Sequence, residues 1–499
     1  MSEDQIYSEL VKICGSRNIS NEFNLVKSYS EDLSFFPKNN PQCVIWPKNR
    51  KQIQKILKTA NSLKFSIIPV SSPSGPRHHG DTIPRYNKGV ILNLSKLNKI
   101  INVDRKNRVV MIEAGVTFND LIPLLHKKGL RLLMPLFPRA SKSVLTAALE
   151  REPITIPRYM WDSSDPLLCT EVYFGNGELF KTGTAAGPGS IKQQKKSGQA
   201  QVNPMGPTQF SPFRIIQGAQ GSIGIVTWAT LKLELVPSVQ KVYHLQSDNI
   251  EKLLDFQYEL LKYRLCDELL ILNNINLACL IKEDPDDILH LAKEFAEWNL
   301  IFVISGNGKL ANDRISYLEA DIHDIIKEKN LDITKNNIVN ENDIFKFLNR
   351  CDTNPWRLRL RGGYQDIFFI SNYERIKKFI VMVKEQFPNN LGVYIQVINQ
   401  GTAYHCEFDI YYDPNDKKET SDIKERFLTT SINLMDSGAF FNRPYGLWAK
   451  EVYKRHEDST QIVLKKIKKI FDPNNILNPG VLCFDELQKN KENVNKISF

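Results

Sequence analysis

Two adjacent histidines, His78 and His79, stand in "PVSSPSGPRHHGD" (residues 69–81), directly after the apolar run "SIIPV". Prolines, glycines and serines keep bulky side chains away, so consecutive backbone N–H groups can converge on an anion. Ser71, Ser72 and Ser74 add hydroxyl donors and Arg77 a charge. The same composition also describes a surface turn, and the residues alone leave both readings open. Neighbours on an extended backbone point in different directions, so the histidine pair is a poor bidentate metal ligand. No HxxE or HxxH spacing offers a third ligand, and no metal is expected.

Three further stretches carry chemistry. In "AYHCEFDIYY" (403–412), alternation puts Cys406, Phe408 and Ile410 on one strand face and His405, Glu407 and Asp409 on the other. Such a His–Glu pair can act as a general acid and base or hold a polar substrate; a solvent-facing polar edge is the alternative. "SGAFFNRPYG" (437–446) surrounds Arg443 with Phe440, Phe441, Pro444 and Tyr445. That cation is either stacked at an interface or aimed at a negative charge. "GAQGSIG" (218–224) spaces its glycines so that backbone can pack flush against a flat ligand. "WRLRLRGG" (356–363) puts Arg357, Arg359 and Arg361 on one expected strand face, an arrangement that suits a phosphate.

Several classes are disfavoured. There is no GxxxxGK[ST], and no GxGxxG between a strand and a helix. The net charge of +10 comes from 66 Lys/Arg against 56 Asp/Glu spread along the chain, with "KQQKK" (192–196) as the compact basic run. That spread suits a solvated surface better than a nucleic-acid groove. No apolar run reaches the ~18 residues of a membrane span. The acidic, amphipathic start is unlike a secretory signal, so a cytoplasmic protein is expected. Eight scattered cysteines without CxxC disfavour zinc and iron–sulfur sites.

The elements that must position these residues follow from periodicity. "NRKQIQKILKTANSL" (49–63) lines Ile53, Ile56, Leu57, Ala60 and Leu63 on one helical face. "GVILNLSKLNKIINVD" and "RVVMIEAG" read as strands around "DRKN", and "FNDLIPLLHKKG" as a helix. This order suggests α+β with antiparallel pairs rather than a βαβ repeat. "LLCTEVYFGNGELFKTG" (167–183) reads as a hairpin turning at Gly175–Gly177, and residues 184–210 as a long loop. A helix is expected over 250–264, and "LGVYIQVINQG" and "TAYHCEFDIYYDP" as a strand pair.

In this order, the opening loop, "VVMIEAGVTFNDLIPLLHKKGLRL", "FGNGELFKTG", "IIQGAQGSIGIVTWATLKLELVP" and "FDPNNILNPG" resemble the vanillyl-alcohol oxidase and p-cresol methylhydroxylase flavoprotein superfamily, which includes D-lactate and glycolate oxidase FAD subunits. The resemblance implies an α+β fold. Two α+β subdomains over 1–237 would bind FAD, residues 238–425 would form an antiparallel-sheet substrate cap, and 426–499 would return to the FAD domain.

By the same resemblance, Pro69, Ser71, Ser72, Ser74, Gly75 and Pro76, with Arg77, His78, His79 and Gly80, would wrap the FAD pyrophosphate. Pro135 and the segment with Asp162, Ser163, Asp165 and Leu168 would line the dinucleotide. So would Gly218, Gly221, Ile225, Val226 and Asn478. Arg443 would sit at the flavin N1–C2=O edge, with His405, Glu407 and Tyr445 as candidates to take or orient the substrate proton. His78 or His79 could carry a covalent flavin. The family's glycine pair is replaced by "SVLTAALEREPIT" (143–155), and the metal-binding histidines of its 2-hydroxyacid branch are not evident.

The implied activity is transfer of a hydride from a small hydroxylated or phenolic substrate to flavin N5. Reoxidation would be by oxygen or by an electron-transfer flavoprotein, iron–sulfur subunit or cytochrome, and a homodimer is an open expectation. A non-redox group transferase like alkyl-glycerone-phosphate synthase, or a non-catalytic flavin-fold subunit, is the alternative.

Overall fold

The computed structural model describes residues 3–86, 89–162, 164–187, 189–197, 204–206, 212–329, 334–335 and 338–484. Three sheets organise them. The first orders its strands β1 (Ile19–Ser20), β2 (Cys43–Ile45), β4 (Val90–Asn93) and β3 (Ile67–Val70). β4 runs parallel to both β2 and β3, and only β1 is antiparallel. These parallel pairs stand beside the antiparallel ones expected from the sequence, of which the pairing of Ile100–Asp104 with Val109–Glu113 is one. "CVI" and "VILN" are buried along their whole length, as strands of a covered parallel sheet are. The expected helix is present at Arg50–Leu63, capped by the Asn49 side chain on Gln52 N–H, and it buries Ile53, Ile56, Leu57 and Ala60.

The second sheet is antiparallel, in the order β5 (Ile100–Asp104), β6 (Val109–Glu113), β10 (Gly224–Leu235), β8 (Leu167–Phe174) and β9 (Leu179–Lys181). β7 (Leu130–Leu132) also pairs with β10. β8 and β9 form the expected hairpin. The helix Phe118–Lys127 starts from a Thr117–Asp120 capping box. The stretch expected to be a long loop contains a helical turn at Gly183–Ala186 and a helix at Ile191–Lys196; its residues 188, 198–203 and 207–210 lie outside the described residues.

The third sheet is antiparallel throughout, ordered β14 (Thr334–Lys335), β11 (Val239–Ser247), β13 (Trp298–Gly306), β12 (Leu269–Asn273), β16 (Leu391–Ile398), β17 (Ala403–Tyr412) and β15 (Gly363–Ser371). One face packs on the helices Ile250–Lys262, Ile376–Gln386 and Lys417–Asp436. The other packs on Asn274–Ile281, Pro285–Glu294 and Glu341–Asn349. The helix Lys417–Asp436 spans residue 426 without a break. No helix among the described residues is long and apolar enough to cross a membrane.

After that helix the chain returns to the first two sheets. Ile67 N–H donates to Ile476 O (2.7 Å), and Asn478 N–H to Ile67 O (2.8 Å). Buried Lys468 donates to Ser222 O (2.5 Å), Leu477 O (2.8 Å) and Asp472 Oδ2 (2.6 Å). This clasp seats the 218–224 loop against β3. At Gly221, φ is +69° and an added Cβ would lie 2.4 Å from Pro69 Cγ, a ring atom that cannot swing away. Gly221→Ala is therefore expected to destabilise the protein by about 1–3 kcal/mol, read as a lower thermal midpoint; an unchanged midpoint would contradict this packing.

Candidate functional site

Between the first two sheets and the third lies a cavity of about 300 Å³. One wall is the loop after β3, with Pro69, Ser71, Ser72, Pro76 and Arg77. Among the described residues no bond uses the backbone N–H of Ser71, Ser72 or Ser74. The carbonyls of Ser74 and Gly75 are instead turned to the Arg139 guanidinium, at 2.6 Å for Gly75. Free amides facing a cleft while the carbonyls are occupied elsewhere make an anion-binding nest. Pro135, Gly221, Ile225 and Val226 continue the wall.

The opposite wall is the face of β15, β17 and β16 that carries Tyr364, Asp366, Phe368, Glu407 and Tyr394. Pairing places Asp366 directly across from Asp409, which is untenable unless cations intervene. Arg357 bonds Asp409 from Nε (2.9 Å) and Glu407 from Nη2. His79 Nε2 lies 3.0 and 2.9 Å from the two Asp366 oxygens.

Burial disfavours the charged His79 ring, yet Asp366 outweighs it and holds the histidine above its ordinary pKa; Asp366 itself is driven far down by His79 and His78 against its burial. Burial pushes Asp409 up to about 7 even with Arg357 beside it. Glu407 is held low by Arg357 and His405, which overcome its burial.

The histidines do not diverge as an extended backbone would make them. His79 takes φ +69°, and the two rings meet edge to face at 4.5 Å. His78 Nδ1 comes within 3.5 Å of Asp366, so His78, His79 and Asp366 bring ligand atoms within 4.8 Å of one another, a geometry that could hold a metal ion. His78 stacks on Tyr364 (4.7 Å), and His79 on Tyr445 (4.8 Å).

Arg443 and Tyr445 close the cavity. The buried Arg443 guanidinium lies 4.1 Å over the Phe368 ring, makes no ion pair among the described residues, and leaves Nε without a partner. Tyr445 O–H donates to Glu150 Oε2. Burial, reinforced by Asp81, raises Glu150 to about 7, while Lys142 pairs with Glu152 and holds it below its ordinary value against its burial.

Other expected site residues lie outside the cavity wall. His405 is buried behind Glu407, with Nε2 2.9 Å from its carboxylate. Gly80 N–H donates to Asp32 (2.6 Å) and Gly218 N–H to Leu149 O (2.9 Å). Asn478 Nδ2 donates to Gln220 O (2.7 Å), whose own side chain holds Pro444 O. Asp162 pairs with Arg214, and Asp165 with Lys232 and the Trp161 amide. Leu168 belongs to β8, and Ser163 falls outside the described residues.

"WRLRLRGG" is not a strand. Trp356–Leu358 is a helical turn, and the three arginines diverge to Glu407 and Asp409, to Asp352 and to Glu419. Asp366, Glu150, Arg139 and Lys142 went unrecognised in the sequence. Glu150 had one signal, an acidic residue in the segment that replaces the expected glycine pair.

A nest-bearing loop, a glycine-paved second loop and the strands of the third sheet frame one cleft that suits a dinucleotide. Residues 41–183 match the family described as FAD binding domain, and residues 445–482 the C-terminal domain of FAD linked oxidases. Glycolate oxidase subunit GlcD of Bacillus subtilis (strain 168) is 26% identical over 50% of this chain, and the match spans about half (49%) of that relative's length. The 4-cresol dehydrogenase [hydroxylating] flavoprotein subunit of Pseudomonas putida is 22% identical over 88% of this chain and 87% of its own. The crystal structure of p-cresol methylhydroxylase with substrate bound superimposes with a TM-score of 0.79 at 18% identity, covering 97% of both chains. An alkyldihydroxyacetonephosphate synthase structure gives 0.68 at 13% identity, over 96% of this chain and 86% of that one. The chain thus carries the matched FAD binding domain and has the fold of p-cresol methylhydroxylase.

The residues present fit FAD. The free amides of the first loop suit its phosphates, the Gly221 contact leaves bare backbone beside them, and Arg443, whose buried Nε has no partner, lines the cavity.

The His79–Asp366 pair ties the first-sheet loop to the cap and has a definite pH signature. Because the folded-state pKa of His79 is raised, its stabilisation is complete below the ordinary value of about 6.5 and is lost as pH rises through the folded value. Asp366→Asn is expected to cost on the order of 3 kcal/mol in mildly acidic solution. Its gap in thermal midpoint from the unsubstituted protein should narrow as pH rises; a gap independent of pH would refute the pairing.

Proposed function

We propose that the chain is an FAD-dependent oxidoreductase whose substrate is a small hydroxylated or phenolic organic molecule. The observation that carries this reading is Arg443, a buried cation with no ion pair among the described residues, in a cavity lined by Phe368, Tyr364, Tyr394 and Tyr445. Flat aromatic walls suit a small ring or planar acid, and the unpaired Arg443 cation stabilises negative charge developing on oxygen. Bound FAD supplies the hydride acceptor.

The chain's own residues divide the remaining work. The loop 69–77 and the 218–226 segment would hold the dinucleotide, and the cap strands exclude water from the substrate. Tyr445 offers a hydroxyl for substrate orientation. Glu407 and His405, tied to each other and to Arg357, stiffen the cap wall, as their mutual bonds support. A separate protein acceptor such as a cytochrome, or oxygen, would remove the electrons.

The group-transfer alternative asks for free arginines to hold a phosphate. Arg357, Arg359 and Arg361 are each satisfied by a carboxylate, which weighs against it.

The test is anaerobic mixing of the purified yellow protein with D-lactate, glycolate, 4-cresol and 4-ethylphenol. Bleaching of the flavin by at least one of them supports the reading; a bound flavin that none bleaches opposes it. Arg443→Ala is expected to slow bleaching by about 10²–10³-fold, and an undiminished rate would remove Arg443 from the chemistry.

A further inference from the structure

Two glutamates flank Arg151 at the end of the short helix Val144–Leu149, and both line the cavity. Their surroundings separate them. Glu152 is neutralised by Lys142. Glu150 has no ion pair among the described residues, and the Tyr445 hydroxyl donates to it. When one site pushes two carboxyls apart, the one left without a cation is suited to accept a proton and the paired one stays ionised.

We propose that Glu150 is the terminal acceptor of the substrate's hydroxyl proton, reached through Tyr445 Oη. This rests on the oxidoreductase reading above. The substrate's O–H proton moves to Tyr445 Oη while the tyrosine's own proton moves along the existing hydrogen bond to Glu150 Oε2. The substrate C–H bond breaks and a C=O or quinone-methide bond forms, and FAD, when bound, would take up the C–H electron pair as hydride. The tyrosine ends unchanged, Glu150 gains one proton, and the substrate loses two electrons and two hydrogens.

The charges facing Glu150 tune it to this task. Asp81, from the loop after β3, and Glu152 raise its pKa, while Arg443 and Lys142 lower it; burial dominates and leaves it at about 7. Arg151, the third charged group of its own segment, turns its Nη2 to Gln217 O (3.3 Å). The stack of His79 on Tyr445 fixes the phenol plane between Glu150 and the cap. A proton acceptor poised near neutrality combines a populated basic form with a useful driving force. The basic form predominates above the folded pKa, so the rate must rise with pH through that value and then level.

Glu150→Gln, Glu150→Asp, Tyr445→Phe and Glu152→Gln test the assignment in the FAD-loaded protein. With whichever of the four substrates bleaches the flavin, the anaerobic reduction rate of the unsubstituted protein should rise with pH to a plateau above about pH 7. Glu150→Gln should lose that break and slow by about 10²–10⁴-fold with little change in half-saturating concentration. Glu150→Asp should keep the break with part of the rate, Tyr445→Phe should be slow, and Glu152→Gln should keep the break.

Independently of any substrate, infrared difference spectra across neutral pH should show protonated-carboxyl stretches for Glu150 and for Asp409, and the Glu150 stretch should vanish in Glu150→Gln while that of Asp409 remains. Survival of the break in Glu150→Gln, or absence of the Glu150 stretch, overturns the role of Glu150 alone. A protein that shows the Glu150 stretch but is bleached by none of the substrates overturns the oxidoreductase reading, and the proton-acceptor role with it.

Discussion

A carboxylate taken out of water demands a cation or a set of donors, and the cleft is organised around that demand. β15 and β17 present Asp366 and Asp409 to each other across the sheet, with Glu407 beside them. Three buried acids on one cavity wall are sustainable only because Arg357 reaches two of them and His79 comes from the opposing half of the molecule to meet the third. A second seam follows the same rule: Arg131 of β7 bonds Asp267 (2.8 Å) and Glu268 (2.7 Å) just ahead of β12. The spacing of the two cleft walls is thus set by ion pairs with short reach. Arg443 and Glu150, which make no ion pair among the described residues, both line the cavity.

The parts of this architecture that rest on local patterning were legible in the residues. The helix at 50–63 follows its apolar period, the hairpin at 167–181 its Gly175–Gly177 turn, and the face alternation of 403–412 is that of β17. The loop at 69–77 was readable because small residues and prolines leave few alternatives for its backbone. Order along the chain then supplied what no single motif could.

What escaped was set by distance. His79 and Asp366 lie 287 positions apart, Tyr445 and Glu150 295 apart, and no periodicity links them. The parallel pairing of β2, β3 and β4 escaped because a short buried run reads alike in either orientation. The arginines of 357–361 were misassigned because alternation was taken for a strand, whereas Pro355 starts a helical turn and each guanidinium finds its own carboxylate. Histidine direction was misjudged because His79 adopts a left-handed backbone that composition does not announce.

The returning C-terminal clasp bears on how the protein comes into being. Lys64 and Asn474, 410 positions apart, are hydrogen-bonded, and Ile476 and Asn478 complete the edge of β3. During vectorial synthesis the loop that faces the cleft therefore waits for a segment some 410 positions further on before its anchor arrives. Until then β3 exposes unpaired backbone and the 218–224 loop lacks Lys468 beneath it. Assembly of the cleft therefore waits on contacts between segments far apart in the chain.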